Sequence, residues 1–321
     1  PADIFNVLPW RKEIIESLLA CDDVGFHIPR YAANFVSAAR SLFDLGPVDR
    51  EPVPDKWLSE GSALMERTVP VGFTYGGRDV SVSVTPVGVD VDYIDEQARS
   101  KEAAERTERI RQELGESKLI LSVGRTDYTK GGIEQLASFE RVLEANPDLI
   151  GKVRLMHVSV SANRNMTAYE NIQNEIEQTA GRINGRFGTL DWQPITLISR
   201  AIPFVELVSY YRAADVAWIT PLADGMNLVC KEFISSRVDG DGVLVLSEFA
   251  GAAVELGSAV LTNPFSHRSM DSAILSALKM PNEERHVRMA SLREVVQGNS
   301  VRDWTPGRLK LNEPNSVPSA A

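Results

Sequence analysis

The sequence predicts an α/β protein built on a doubly wound parallel sheet, and three observations predict it. Beyond about residue 115, runs of consecutive apolar residues alternate with stretches carrying apolar residues at helical spacing. That is the rhythm of strands buried on both faces and joined by crossover helices. The 321 residues suffice for two domains, each able to bury its own core. The balance of 43% hydrophobic to 24% charged residues is that of a globular chain that needs neither disulfide nor metal to fold.

Near the start, Ile14, Ile15, Leu18 and Leu19, and then Tyr31, Phe35, Val36 and Ala39, recur at the spacing of one helix face. Between them, residues 23–28 read as a short buried strand. Residues 46–62, rich in Pro, Gly and charge, are expected to form a surface loop. Period-two segments at 69–75 and 80–84 flank Gly76 and Gly77, the signature of a hairpin. Residues 93–114 predict one polar helix that connects to the second domain. There, apolar runs at 119–123, 153–160, 195–199, 216–220, 243–246 and 260–261 predict six strands. Amphipathic stretches at about 131–145, 166–184, 203–213, 226–237, 269–279 and 283–297 predict six helices.

Charge and cysteine content narrow the partners. A net charge of −10 without any Lys/Arg-rich run repels nucleic-acid phosphates, so no polynucleotide partner is expected. No stretch approaches the ~20 apolar residues that span a bilayer, so no membrane partner is expected either. Cys21 and Cys230 lie far apart without a CxxC, which fits a reducing cytoplasm. Both are expected to be small buried hydrophobes. His27, His157, His267 and His286 lack metal-ligand spacing, no acidic cluster demands a metal, and His157, inside an apolar run, is expected in the core. No GxSxG elbow supports Ser-His-Asp hydrolysis.

In doubly wound sheets ligands bind where strands end. The run at 119–123 leads into Gly124-Arg125-Thr126-Asp127-Tyr128-Thr129-Lys130-Gly131-Gly132. This is neither a Walker loop nor GxGxxG, yet Arg125 offers a bidentate fork and Lys130 a point charge ahead of a helix N-terminus, a combination suited to phosphate. The alternative is a solvated loop in which Arg125 and Lys130 pair with Asp127 and Glu134. The run at 216–220 leads into residues 221–232, where Asp224 either only caps a helix or accepts ligand hydroxyls beside free first-turn N–H groups. By position alone Glu232 reads as a solvated helix charge that could also reach a ribose. The small residues of 247–255 permit close backbone approach.

Six ordered segments carry a resemblance: IFNVLPWRKEII (4–15), DDVGFHIPR (22–30), GRTDYTKG (124–131), AGRINGRFGTLDWQPI (180–195), ADVAWITPLADGMNLVCKEF (214–233) and GVLVLSEFAGAAVEL (242–256). Together they resemble the trehalose-6-phosphate synthase family of retaining glycosyltransferases, and within it the glucosylglycerol-phosphate synthases. The resemblance implies two Rossmann-like domains of GT-B type, with residues 1–95 the latter part of the acceptor-side domain and 96–280 the nucleotide-sugar domain. It further implies a C-terminal helix at 281–304 that crosses back to the first domain; residues 305–321 are expected to be a disordered tail. It implies glucose transfer from ADP-glucose to glycerol 3-phosphate in compatible-solute synthesis, or from UDP-glucose to glucose 6-phosphate, with no cofactor beyond the nucleotide-glucose.

Carried over by position, Arg125 and Lys130 would bind the donor diphosphate, and Asp224 with the backbone of Gly225, Met226 and Asn227 the transferred glucose. The amides of Leu228 and Val229 would meet phosphate, Glu232 the ribose, and the backbone near Ile202 and Pro203 the base. Three departures stand out. Ala223 replaces an Arg of the family's Pro-Leu-Arg-Asp-Gly. Ser161-Ala162-Asn163-Arg164-Asn165-Met166 replaces an acceptor-binding Ser-Arg-Gly-Asp stretch, which favours glycerol 3-phosphate and makes Arg164 the acceptor-phosphate candidate. The family's glycine loop and His-Asp-Tyr-His segment would precede Pro1, so the chain, which opens without Met, is expected to be a fragment inactive on its own. A nucleotide-sugar-binding module without turnover is the alternative of another class.

Overall fold

A computed structural model describes residues 1–161, 167–302 and 304. The first unit runs α1 (Ala2–Phe5), α2 (Arg11–Leu19), β1 (Asp23–Phe26), α3 (Pro29–Leu42), β2 (Val48–Pro52), β3 (Thr68–Tyr75) and β4 (Arg78–Val84). Its sheet has the order β1-β4-β3-β2, with β1 parallel to β4 and the other pairs antiparallel. Pro29 starts α3, where a missing N–H costs nothing and the ring pre-sets φ. Ala32, Phe35, Val36 and Ala39 then bury one face of α3, with Phe35 in ring contact with Phe26 and Phe73. Gly76 and Gly77, at φ of 57° and 79°, supply the two left-handed positions of a tight hairpin turn that pairs Tyr75 with Arg78.

The loop expected at 46–62 contains strand β2. Its sequence, Val-Asp-Arg-Glu-Pro, is largely exposed, so no burial-driven alternation marks it. It is an edge strand held by backbone pairing to β3, with an irregular register between Asp49 and Arg50. Charge and proline are what edge strands carry.

The connector is two helices rather than one, α4 (Val91–Arg99) and α5 (Lys101–Leu114). Ser100 is extended at ψ 148°, and its hydroxyl accepts the Ala103 N–H, so a capping residue both ends one helix and starts the next.

The second sheet alternates strand and helix: β5 (Lys118–Thr126), α6 (Gly132–Ala145), β6 (Val153–Ser161), α7 (Thr167–Phe187), β7 (Ile195–Ile198), α8 (Phe204–Ala213), β8 (Val216–Ile219), α9 (Leu228–Ser236), β9 (Val243–Ser247), β10 (Val260–Thr262), α10 (His267–Lys279) and α11 (Asn282–Gln297). The order is β10-β9-β8-β5-β6-β7, all parallel, so the winding direction reverses between β5 and β8. Ile120, Leu155, Trp218 and Val245 pack with residues of α6, α7 and α10. Leu121, Ala217, Leu244 and Leu246 pack with residues of α8, α9 and α11. Successive strand residues thus serve opposite layers, and the strands read as unbroken apolar runs. Among the described residues no helix is long and apolar enough to cross a membrane. Cys230 is buried, but Cys21 is exposed just past α2, where no layer covers it.

The two units join around a buried ion pair. The Lys231 ammonium pairs with Glu255 Oε1, each side chain 1% exposed. Lys231 Nζ also donates to the Val87 carbonyl at 2.8 Å, and Asn299 Nδ2 donates to Glu255 Oε2 at 3.0 Å. Beyond α11 the chain lies against the connector: Val301 N–H bonds to Val89 O and Trp304 Nε1 to Thr85 O. A methyl group at Gly88 would sit 1.9 Å from Asn299 O, so only glycine fits there. The residues expected to form the tail, 305–321, lie outside the described ones.

Removing one partner strands the other charge in the interior. Lys231→Met is therefore expected to lower unfolding free energy by about 3–5 kcal/mol, read from urea denaturation. The double variant Lys231→Met/Glu255→Leu is expected to lose less than that single variant; an equal or greater loss would contradict this account of the pair.

Candidate functional site

A cavity of about 730 Å³ opens at the carboxyl ends of β5, β6 and β8, where the winding reverses, and His27 of the first unit and Val87, just beyond β4, contribute to its wall. Its chemistry comes from the loops that follow β5 and β8.

After β5, Asp127 Oδ1 accepts both the backbone N–H and the hydroxyl of Thr129, each at 2.8 Å. Burial pushes the Asp127 carboxyl up, but those two bonds, with Lys130 and Arg125 nearby, outweigh it and hold the group below its ordinary value. The turn ends at Gly131, φ 69°, where a Cβ would lie 2.4 Å from Thr220 O. Glycine is required there on two counts, and the β5 loop can therefore rest directly on the end of β8. Leu222 N–H completes the contact by bonding to Thr129 O at 2.7 Å.

This seating sets the charged groups. Lys130 Nζ lies 2.8 Å from Asp224 Oδ2, so its partner is neither Asp127 nor Glu134, the alternatives for a solvated loop. Asn227 Nδ2 donates to the same oxygen at 3.0 Å. Arg125 is exposed in the cavity wall, and its side chain has no hydrogen bond or ion pair among the described residues.

Asp224 does not cap α9. Its backbone is still strand-like, bridging Ala250, with Asp224 N–H on Phe249 O and Gly251 N–H on Asp224 O. The cap is Asn227, whose Oδ1 accepts the Cys230 N–H at 3.0 Å. It stands at φ 82°, the one positive φ outside glycine among the described residues; Asn tolerates that region better than most. The N–H groups of Leu228 and Val229 have no partner among the described residues, and both residues line the cavity with Gly225 and Met226. Gly251 packs so closely that a Cβ would come within 2.2 Å of Gly225 O, so the small residues of 247–255 serve tight packing of one loop on another.

Glu232 is not a solvated helix charge. It lines the cavity, half-buried, and Oε2 accepts the hydroxyl of Tyr211 at 2.9 Å. Burial raises its pKa, and the Tyr211 bond only partly offsets that. Ile202 also lines the cavity, whereas Ala223 is exposed outside its wall. Arg164 lies outside the described residues.

Three further wall or wall-supporting residues escaped sequence reasoning. Tyr31, read only as a helix-face apolar position, donates its hydroxyl to Asp224 O at 3.2 Å and so ties α3 to the loop. Tyr211 carries no local motif. His157 is buried as expected, at 4% exposure, but it also lines the cavity. Neither ring nitrogen has a partner among the described residues, and the Nε2 edge lies so near Gly132 that a Cβ there would be 3.3 Å away. A glycine opening a helix against an apolar-strand histidine was the available signal.

The model for glycosyltransferase family 20 matches residues 1–311. The chain is 47% identical over 303 residues to a glucosylglycerol-phosphate synthase of a Picosynechococcus species, covering 94% of this chain and 61% of that protein. It is 36% identical over 291 residues to a Candida albicans UDP-forming α,α-trehalose-phosphate synthase, covering 91% and 57%. An E. coli structure described as trehalose-6-phosphate bound with UDP-2-fluoro glucose superposes with a TM-score of 0.85 at 31% identity, covering 95% of this chain and 63% of that one. The chain thus spans about three fifths of the length of these relatives.

Burial depresses the His157 pKa to about 4. The unfolded chain takes up this proton near pH 6.5 and the folded chain does not, so stability is lost as pH falls from about 6.5 to about 4. The loss is about 3 kcal/mol. Urea unfolding of His157→Gln at pH 7 and pH 4 is expected to lack that increment relative to the wild-type chain.

Proposed function

The chain belongs to glycosyltransferase family 20, and from that premise we propose that it serves a retaining glucosyltransferase that moves glucose from ADP-glucose to glycerol 3-phosphate. The carrying observation is the cavity wall itself: an unpaired arginine, a lysine–aspartate pair and two open first-turn N–H groups at the switch point of a doubly wound sheet.

On this reading Arg125 and Lys130 bind the donor diphosphate, joined by the amides of Leu228 and Val229 at the positive end of α9. Asp224, with the backbone of Gly225, Met226 and Asn227, holds the glucose hydroxyls. Glu232 accepts from the ribose, and the backbone at Ile202 meets the base. The main chemical demand is the charge that grows on the leaving diphosphate as the anomeric bond breaks; preorganised cations answer it. Lys130 exchanges its contact with Asp224 for the phosphate, which frees Asp224 Oδ2 for the sugar. The departing phosphate takes the acceptor proton on the face it leaves, so the anomeric configuration is retained without the paired carboxylates of glycosidases.

The 47% identity to a glucosylglycerol-phosphate synthase against 36% to a trehalose-phosphate synthase favours the glycerol 3-phosphate acceptor, with Arg164 as its phosphate ligand, and a role in compatible-solute synthesis. Transfer from UDP-glucose to glucose 6-phosphate is the second reading.

A product assay on the full-length protein, pairing ADP-glucose or UDP-glucose with glycerol 3-phosphate or glucose 6-phosphate, separates them. Glucosylglycerol phosphate from ADP-glucose is expected; trehalose 6-phosphate would overturn the acceptor assignment, and binding without any product would leave a nucleotide-sugar-binding module. Arg125→Ala is expected to weaken nucleotide-glucose binding by about 1.5–3 kcal/mol, the scale of a hydrogen bond to a charged group, by calorimetric titration. Unchanged affinity would refute the diphosphate role.

A further inference from the structure

Tyr211 is fully buried at the C-terminal turn of α8, its ring edge-on to Phe233 at 6.3 Å. Its backbone carbonyl is fixed by Arg237 Nη1 at 3.1 Å. Ring and backbone are thus both held, and the hydroxyl donates to Glu232 Oε2, 2.9 Å away. Glu232 lines the cavity, and its other carboxylate oxygen, Oε1, has no hydrogen-bond partner among the described residues. A carboxylate clamped through one oxygen presents the second with defined direction, the geometry that accepts the vicinal hydroxyls of a ribose.

We propose that Tyr211 is a positioning residue for ribose recognition, clamping one oxygen of Glu232 so that the other faces the nucleotide's vicinal diol. The proposal rests on the ribose role given to Glu232 above.

The clamp has an electrostatic consequence. Burial, then the Glu232 carboxylate, holds the Tyr211 phenol well above its ordinary value, so the hydroxyl stays a donor. Burial raises the pKa of Glu232, and the Tyr211 bond works against that rise. The other ionisable groups in the wall are His27, Arg125, Asp127, Lys130, His157 and Asp224, and none is bonded to Glu232. Loss of the hydroxyl therefore leaves the carboxylate both unaimed and easier to protonate.

Calorimetric titration of the 321-residue chain with ADP and UDP, each beside its 2′,3′-dideoxy form, tests this. The wild-type chain is expected to prefer a ribose form over its dideoxy form on the order of ten-fold. Tyr211→Phe is expected to erase most of that preference while leaving dideoxy affinity unchanged, and to lose what remains at a higher pH than the wild-type chain does. Glu232→Gln, which keeps a group for Tyr211 to bond, is expected to show a reduced preference that no longer changes with pH. A full preference in Tyr211→Phe, or equal weakening of both nucleotide forms, overturns the proposal alone. A wild-type chain that binds without preferring ribose, or that binds neither nucleotide, overturns the ribose reading and this proposal with it.

Discussion

The buried pair of Lys231 and Glu255 is the constraint on which the rest of the architecture rests. A charge taken out of water at 1% exposure is tolerated only when its remaining bonding capacity is met. Here Val87 O and Asn299 Nδ2 supply the additional contacts. Those four residues come from α9, the turn after β9, the connector after β4 and the segment after α11. Satisfying one ion pair therefore requires four separate stretches of chain to converge. Because Glu232 follows Lys231 on the same helix, the contact that fixes the junction also sets which side of α9 faces the cavity.

The cavity inherits its order from backbone contact more than from side chains. Gly131 against Thr220 O, and Gly251 against Gly225 O, bring three loops to within one atom layer. Lys130 and Asp224, 94 positions apart, meet as a result. Each neutralises the other, which limits the cost that an uncompensated charge in a partly enclosed site would carry. Arg125 stands apart, exposed and without such a partner.

Much of this was legible in the sequence, for identifiable reasons. All six strands of the second sheet were expected from their apolar runs, which in the inner strands β5, β6, β8 and β9 reflect burial of both faces, and the hairpin because Gly76-Gly77 can occupy two left-handed positions. Strand β2 was not, since an exposed edge strand carries no burial pattern. Ser100 was missed as a joint because one serine inside a polar helical stretch does not announce that its hydroxyl caps the next turn. Asp224 and Asn227 are both capping residue types three positions apart; the bridge from Asp224 to Ala250, a tertiary contact, decides between them. The strand-end residues Arg125, Lys130 and Asp224 were located by the topology rule, whereas Glu232 reads by position as a solvated charge and stood out only through the family resemblance; its clamp from Tyr211 depends on how α8 lies against α9, which no local pattern encodes.

The same glycines that seat the loops also shape how this chain can change over generations. At Gly131 and Gly251 the obstacle to any side chain is the main chain of another loop, which no compensating side-chain replacement can move aside. Variation there is closed off whatever the neighbours become. Arg125, by contrast, is exposed and unpartnered, so the fold places almost no demand on its identity. On its proposed role, what holds Arg125 in place is the diphosphate rather than the fold, while the loop paths themselves stay frozen.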